Sequence, residues 1–494
     1  MHFSRLWGKI YIMRTLHAKK AVALYDRKLS VKYVVTTVIM YVIAALLWYA
    51  VAAVAPYTAT VTVDPAREKL ITREAFSAGE QQSSRPESEK ERAFLMPSSE
   101  QTYLRRLKLV EDAQKSIDFM IYDSYEEDYT LYFYSSLLRA ADRGIKVRIL
   151  VDGKMGMLTG YLREIGELLQ NHNNIEFYYY NMINLLDPAG LLVVMHDKVM
   201  LADDSIAIVG GVNMGRGAFT ANYDMEVMIT NGDSNGCAGQ IKRYFEEMIN
   251  SSTARRIVSN SGDLEAKTQY INDYTAFFEK CEYAHADIDY NALGVPVNKA
   301  TFLNNGSEGN KKEPIIFEAL CNLSESSRST TVVTPYTLLE NDKKRTIKRL
   351  ASANERFRII TNSLYNTRNV AYADYYYTRK VYVDPNIELL EYQADNQLHA
   401  KMFTFDGRFS VIGSFNLDER SCHIDTESAV VIDSEAFTAI VDDYIEETFV
   451  KNSLKVGENN EYIPSDTVVA HEAPGKKRFL YALYRALGIV RCLI

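Results

Sequence analysis

The chain has 494 residues, 47% of them hydrophobic and 24% charged, with a formal net charge of −8. That length exceeds one ordinary domain. A mean hydropathy of −0.20 excludes a multi-span membrane protein, and the apolar content excludes a disordered chain. The five cysteines are odd in number, far apart and without a CxxC pair, which argues against a disulfide scaffold or a zinc ribbon.

The net charge conceals a gradient. Residues 1–32 carry +7 and residues 472–494 carry +4, which leaves −19 on residues 33–471. An acidic body of that size does not favour long nucleic acid as a partner, whereas the basic ends suit an anionic membrane surface. The first 32 residues read as a basic arm. From Tyr33 to Ala55 there are 23 residues without a charge, enough helix to cover about 30 Å of hydrocarbon. We read 33–55 as a transmembrane helix. Six Lys/Arg lie in the 20 residues before it and three in the 20 after, so the positive-inside rule places the arm in the cytoplasm and the body outside. The long basic region and Pro56 speak against a cleaved leader.

Residues 56–98 read as a linker, polar around AGEQQSSRPESEKER. The body then repeats one order of elements. A first domain over 99–252 runs from a helix into SIDFMIYDS, a helix, KVRILVD, IEFYYY, a hairpin around VVMHDKVMLADDSIAIVGG, YDMEVMIT and a closing helix. A second over 313–452 repeats it with TTVVTPY, RFRIITNS, NIELLEYQ, LHAKMFTFDGRFSVIGS and ESAVVID. Short β-branched strands alternating with helices predict two α/β domains with mixed sheets, duplicated and joined by a polar segment over 253–312. The tail, 453–494, ends in a helical pattern with Leu480, Leu483, Leu487, Val490 and Ile494 on one side and arginines on the other. It suits either a membrane interface or docking on the body. The tyrosine runs Phe177–Tyr180 and Tyr375–Tyr377 suit either a lipid entrance or ordinary packing.

The two copies share one frame. His196, Lys198 and Asp203 precede Gly210-Gly211-Val212-Asn213, and His399, Lys401 and Asp406 precede Gly413-Ser414-Phe415-Asn416, with each Asn 17 residues after its His. In extended chain, residues i and i+2 share a face, so each His projects with its Lys. The glycines let a neighbouring strand end approach closely. Two imidazoles, two ammoniums and two amides suit a phosphodiester that gains charge in its transition state. One His attacks phosphorus and the other protonates the leaving alkoxide. Glu226 and Glu427, each opening the strand after its own motif, are candidates to accept from an imidazole Nδ1–H and orient the ring, with Asp224 a competitor in the first half. Asp203 and Asp406, beside turns, also suit a structural role.

These two HxKx4D frames resemble the phospholipase D superfamily, and GSFNLDERS followed by TE, with TNSLYNT and GGVN, is most similar to its bacterial cardiolipin synthases of the C type. The resemblance covers about 103–449. It implies two domains meeting at one active site, a phosphohistidine intermediate, and neither metal nor cofactor. It assigns His196 as nucleophile and His399 as acid, then base. Lys198, Lys401, Asn213 and Asn416 hold the phosphate with help from Ser414, while Gly211 departs from the commoner Ser. It further implies transfer of a phosphatidyl group from a phospholipid donor to phosphatidylglycerol at a membrane. Hydrolysis to phosphatidic acid and, against the acidic body, nuclease action are the alternatives.

Overall fold

A computed structural model of the chain describes residues 3–79, 85–368 and 372–486. The basic arm and the apolar segment form a single helix, Phe3–Val54, which ends where Pro56 forces a 3₁₀ turn over Ala55–Thr58. Residues Lys32–Thr58 are long and apolar enough to cross a membrane, and none of that stretch is buried against the rest of the protein. A core helix of a soluble domain would be packed on at least one face.

The body consists of two sheets built on one plan. Edge to edge, the first runs Val295–Pro296, Arg92–Pro97, Met225–Thr230, Ile206–Gly210, Val199–Ala202, Ser116–Ile121, Lys146–Asp152, Ile175–Tyr180 and Ala254–Ile257. The second runs Lys299–Asn304, Ser428–Asp433, Phe409–Gly413, Met402–Phe405, Ser329–Val333, Arg356–Asn362, Ile387–Tyr392 and Ser453–Lys455. In each, three strands are parallel and the rest antiparallel, as the strand and helix alternation predicts. The strands Arg92–Pro97, next to the edge of the first sheet, and Lys299–Asn304, at the edge of the second, fall in the segments read from sequence as linker and connector. Each is only six residues long and adjoins a polar stretch of the sequence. Ile71 and Phe76, from the same polar linker, are likewise buried in the second domain, and Arg73 donates to Ser327 Oγ at 2.7 Å.

Three apolar clusters hold these layers. One packs the outer face of the first sheet against helices such as Glu100–Asp112 and Asp128–Asp142. A second does the same for the second sheet. The third lies between the sheets and is shared: Leu150, Met195, Val199 and Val227 from the first half meet Val333, Ile360, Met402 and Val430 from the second. The tyrosines of the two runs are mainly packing residues, with Tyr179, Tyr180 and Tyr375 buried. The tail helix Gly475–Ala486 docks on the body through Tyr481 and through Lys477 Nζ, which donates to the Tyr365 carbonyl at 2.8 Å. Its Leu480 and Leu483 face solvent, while Leu487, Val490 and Ile494 lie outside the described residues.

The motif aspartates are turn residues. Asp203 and Asp204, and Asp406 and Gly407, take positive φ at the tips of the two hairpins, the mirror-image turn that matches strand twist. Asp203 accepts backbone N–H bonds from Gln114, Lys115 and Ser116, and Asp406 from Arg328 and Ser329. Each therefore ties its hairpin to the start of the neighbouring strand. At about 3.3 Å per residue, Asp203 stands about 16 Å of extended chain from Lys198. The catalytic role expected for Asp203 and Asp406 is corrected to this structural one. Asp203→Ala and Asp406→Ala are expected to cost about 1–3 kcal/mol each in chemical unfolding, with turnover per folded molecule kept.

Candidate active site

Each histidine sits just before the strand that its motif opens, and each is held by the other half of the chain. The His196 N–H donates to the Thr426 carbonyl at 3.0 Å, and the Thr426 N–H donates back to Val194 at 3.1 Å. In the mirror relation, the N–H groups of His399 and Ala400 donate to the Tyr223 carbonyl at 2.7 and 2.9 Å, beside the short parallel pairing of Gln397–Leu398 with Asn222–Tyr223. The stretch before each His is anchored within its own half. Asp152 accepts from the Met195 N–H at 2.8 Å, and Asn362 accepts from the Leu398 N–H at 2.9 Å.

The carboxylates follow the same crossing. His196 Nδ1 lies 3.0 and 3.1 Å from the two oxygens of Glu427, and His399 Nδ1 bonds to Asp224 Oδ2. Glu427 thus orients the imidazole of the opposite copy. Glu226 orients neither: it is fully buried and paired with Arg106, whose Nε donates to Oε2 at 3.1 Å. Strand register gives the reason. Gly210 is opposite Glu226, whereas Gly413 is opposite Ala429, so the counterpart of Glu427 is Asp224. The spacing carried this signal, since Asp224 and Glu427 each lie 28 residues after their own His and 11 after their own Asn.

Ser414 also departs from its expected place at the phosphate. Its buried hydroxyl donates to Glu427 Oε2, while the Ser428 N–H donates to Ser414 Oγ at 3.0 Å. Ser421 Oγ donates to the other carboxylate oxygen at 2.6 Å. In the first half Gly211 occupies the position of Ser414, and a Cβ there would stand 2.3 Å from Asp224 Oδ1. The glycine therefore gives the shorter carboxylate its room.

The ammoniums join the same cluster. Lys198 Nζ donates to the His196 carbonyl at 2.5 Å and lies 4.9 Å from the centre of the Tyr122 ring. That ring in turn packs edge-on against His196 at 4.8 Å, a contact that the sequence frame does not include. Lys401 Nζ lies 3.5 Å from Asp224 Oδ2. Asn213 and Asn416 follow the strand ends whose glycines bond back to the Lys198 and Lys401 carbonyls, and each has a buried Oδ1 without a partner among the described residues. Such an amide awaits a ligand or water.

Burial sets the electrostatics. It holds His196 well below the usual imidazole range, with Lys198 and Lys401 adding to the effect, and it lowers His399 too, with Asp224 opposing. Burial works against charge on Asp224, but Lys401 and then His399 outweigh it, so its carboxyl lies below the usual range. Glu427 is pushed well above it, again by burial first. Burial also brings Lys198 down to about 7.

The family model described as cardiolipin synthase, PLD-like domain, matches residues 107–249 and 320–449, the two halves of the body. Cardiolipin synthase C of Escherichia coli is 26% identical over 71% of this chain and 83% of its own length. Cardiolipin synthase A of Proteus mirabilis is 22% identical over 67% of this chain and 63% of its own. The crystal structure of phosphatidylserine synthase from Haemophilus influenzae shares the fold with a TM-score of 0.57 at 14% identity, covering 84% of this chain and 95% of that one. The protein is thus an enzyme of the phospholipase D type. It belongs to the family of cardiolipin synthases with phospholipase D-like domains.

Two outcomes test this site. Anion binding favours protonated Lys198, so affinity for tungstate, a dianion throughout the range, is expected to fall several-fold as pH rises from 6 to 8 through its pKa of about 7. Calorimetric titration reads it, and Lys198→Met flattens the profile. Glu226→Gln strands the Arg106 charge and is expected to cost about 3–5 kcal/mol in chemical unfolding, with Arg106→Met/Glu226→Leu recovering most of the loss.

Proposed function

We propose that the enzyme is a membrane-anchored phosphatidyltransferase that makes cardiolipin, transferring a phosphatidyl group to the headgroup hydroxyl of phosphatidylglycerol through a phosphohistidine. The observation that carries this reading is the crossed pairing of His196 with Glu427 and of His399 with Asp224. Engaging both Nδ1 atoms directs chemistry at one phosphodiester to the two Nε2 atoms, of which that of His399 also lies 3.4 Å from Lys401 Nζ. His196, held neutral by burial, attacks phosphorus as the P–N bond forms. The headgroup oxygen leaves with a proton from His399, whose cation ionised Asp224 supports against the lowering by burial and Lys401. Neutral His399 then takes the proton of the acceptor hydroxyl as its oxygen attacks phosphorus and the P–N bond breaks. Lys198, Lys401, Asn213 and Asn416 hold the charged phosphoryl oxygens through both steps.

The anchor in this reading is the helix over Lys32–Thr58, with the basic arm cytoplasmic and the body outside. Phospholipids are its substrates, and the −19 on residues 33–471 opposes nucleic acid. The test is lipid analysis after expression in a host that lacks cardiolipin. The chain is expected to restore cardiolipin. His196→Ala and His399→Ala abolish it, and Asp224→Asn lowers turnover by about 10³-fold or more through a misoriented His399. Phosphatidic acid without cardiolipin would assign the enzyme to hydrolysis.

A further inference from the structure

Outside the apolar helix, the most exposed large apolar side chain among the described residues is Leu186, at 93%, with Leu185 at 70% and Ile183 at 65% beside it. They form the tip of the loop that joins the strand Ile175–Tyr180 to His196, and from Asn181 to Met195 the one charged residue is Asp187. The loop is built rather than loose. Asn184 Oδ1 accepts from the Leu186 N–H at 3.0 Å, and Asp187 Oδ1 accepts from the Gly190 N–H at 3.0 Å. Asn181 Nδ2 donates to the carbonyls of Gly190 and Val193 at 2.7 and 2.8 Å, and Lys154 Nζ donates to Gly190 at 2.8 Å. Folding therefore fixes the base and leaves three apolar side chains in water, which costs free energy unless something apolar covers them.

What covers them is indicated by the neighbour of the loop. Tyr57, in the turn that ends the apolar helix, donates its hydroxyl to the Ala189 carbonyl at 2.7 Å, and Lys311 Nζ fixes that turn through the Tyr57 carbonyl at 2.7 Å. The apolar tip is thus tethered to the point where the helix would leave a bilayer. We propose that Ile183, Leu185 and Leu186 enter the lipid interface beside that helix and hold the mouth of the His196–His399 site against the bilayer, so that phospholipid enters from the membrane plane. This rests on the phospholipid reading above for its substrate and on the anchoring role of the helix Lys32–Thr58 for the insertion.

The test uses the full-length chain in phosphatidylglycerol vesicles, with Cys281 and Cys492 replaced by Ser. Leu186→Cys carrying an environment-sensitive fluorophore is expected to be quenched by acyl-chain-brominated lipid several-fold more than the same label at Leu264→Cys, an exposed position elsewhere on the body. Equal quenching of the two, or none at 186, overturns the proposal. In parallel, Ile183→Ser/Leu185→Ser/Leu186→Ser is expected to lower turnover of vesicle lipid about tenfold relative to turnover of a short-chain lipid below its micelle concentration. An unchanged ratio also overturns it. If the unsubstituted chain turns over neither lipid, the functional reading fails, while quenching at 186 still decides the insertion.

Discussion

The site depends on a crossing: each imidazole is oriented by a carboxylate from the other half of the chain, Glu427 for His196 and Asp224 for His399. Neither half supplies both members of a histidine–carboxylate pair. The backbone enforces the same exchange, because each motif borrows its last hydrogen bonds from the segment that carries its carboxylate, through Thr426 on one side and Tyr223 on the other. A crossing of this kind works only if the halves keep a fixed spacing. The apolar cluster shared between the sheets supplies that constraint, and its members include Met195 and Ala400, next to the two histidines. Packing and catalysis are thus coupled through a few residues: a slip of the inter-sheet core would separate both pairs at once.

The duplication is not symmetric in chemistry. Glu427 is longer, desolvated and held by two serine hydroxyls, while Asp224 is shorter, lies beside Lys401 and takes the room left by Gly211. Burial and the two lysines favour neutral His196. At His399 burial and Lys401 also lower the imidazole, and the Asp224 carboxylate opposes them only in part. Two equivalent frames thereby differ in the carboxylate that each imidazole meets. The departure at Gly211, which in the sequence looks like the loss of a phosphate contact, is a packing consequence of using Asp in place of Glu. Ser414, on the other side, serves the carboxylate rather than the substrate.

Much of this was legible in the sequence. Short apolar strands alternating with helices give the two mixed sheets, and the two frames of His, Lys, Gly and Asn mark the residues that converge. What sequence concealed has physical causes. The strands Arg92–Pro97 and Lys299–Asn304 carry mixed burial patterns because a strand at or next to the edge of a sheet, paired antiparallel, need not be buried on both faces. Glu226 attracted the orienting role as the acidic residue inside its strand, yet position along a strand says nothing of register. Only the equal spacing of 28 from each histidine separates Asp224 from it. Asp203 and Asp406 recur for the geometry of a hairpin tip, and recurrence alone does not distinguish a turn from a reaction. Nor does any repeat mark Tyr122, because the strand equivalent to its own continues into Pro335 and Tyr336.

In the proposed reading, charge and apolar surface divide the work of membrane association. With −19 between residues 33 and 471, the body is repelled by an anionic bilayer, and the repulsion acts over about 8–10 Å at physiological salt. A catalytic mouth that must sit within that distance of lipid headgroups cannot be drawn there by the body's net charge. In the anchored reading the apolar helix makes the encounter intramolecular, while the basic arm lies across the bilayer from the body and leaves that repulsion in place. What remains is orientation, since a single helix leaves the body free to rotate about it. A second contact close to the helix exit restricts that rotation most economically when it is built into the loop that carries His196. An apolar contact serves better than a basic one there, because cations beside the site would add to Lys198 and Lys401 in depressing the histidines and would compete with them for the phosphate.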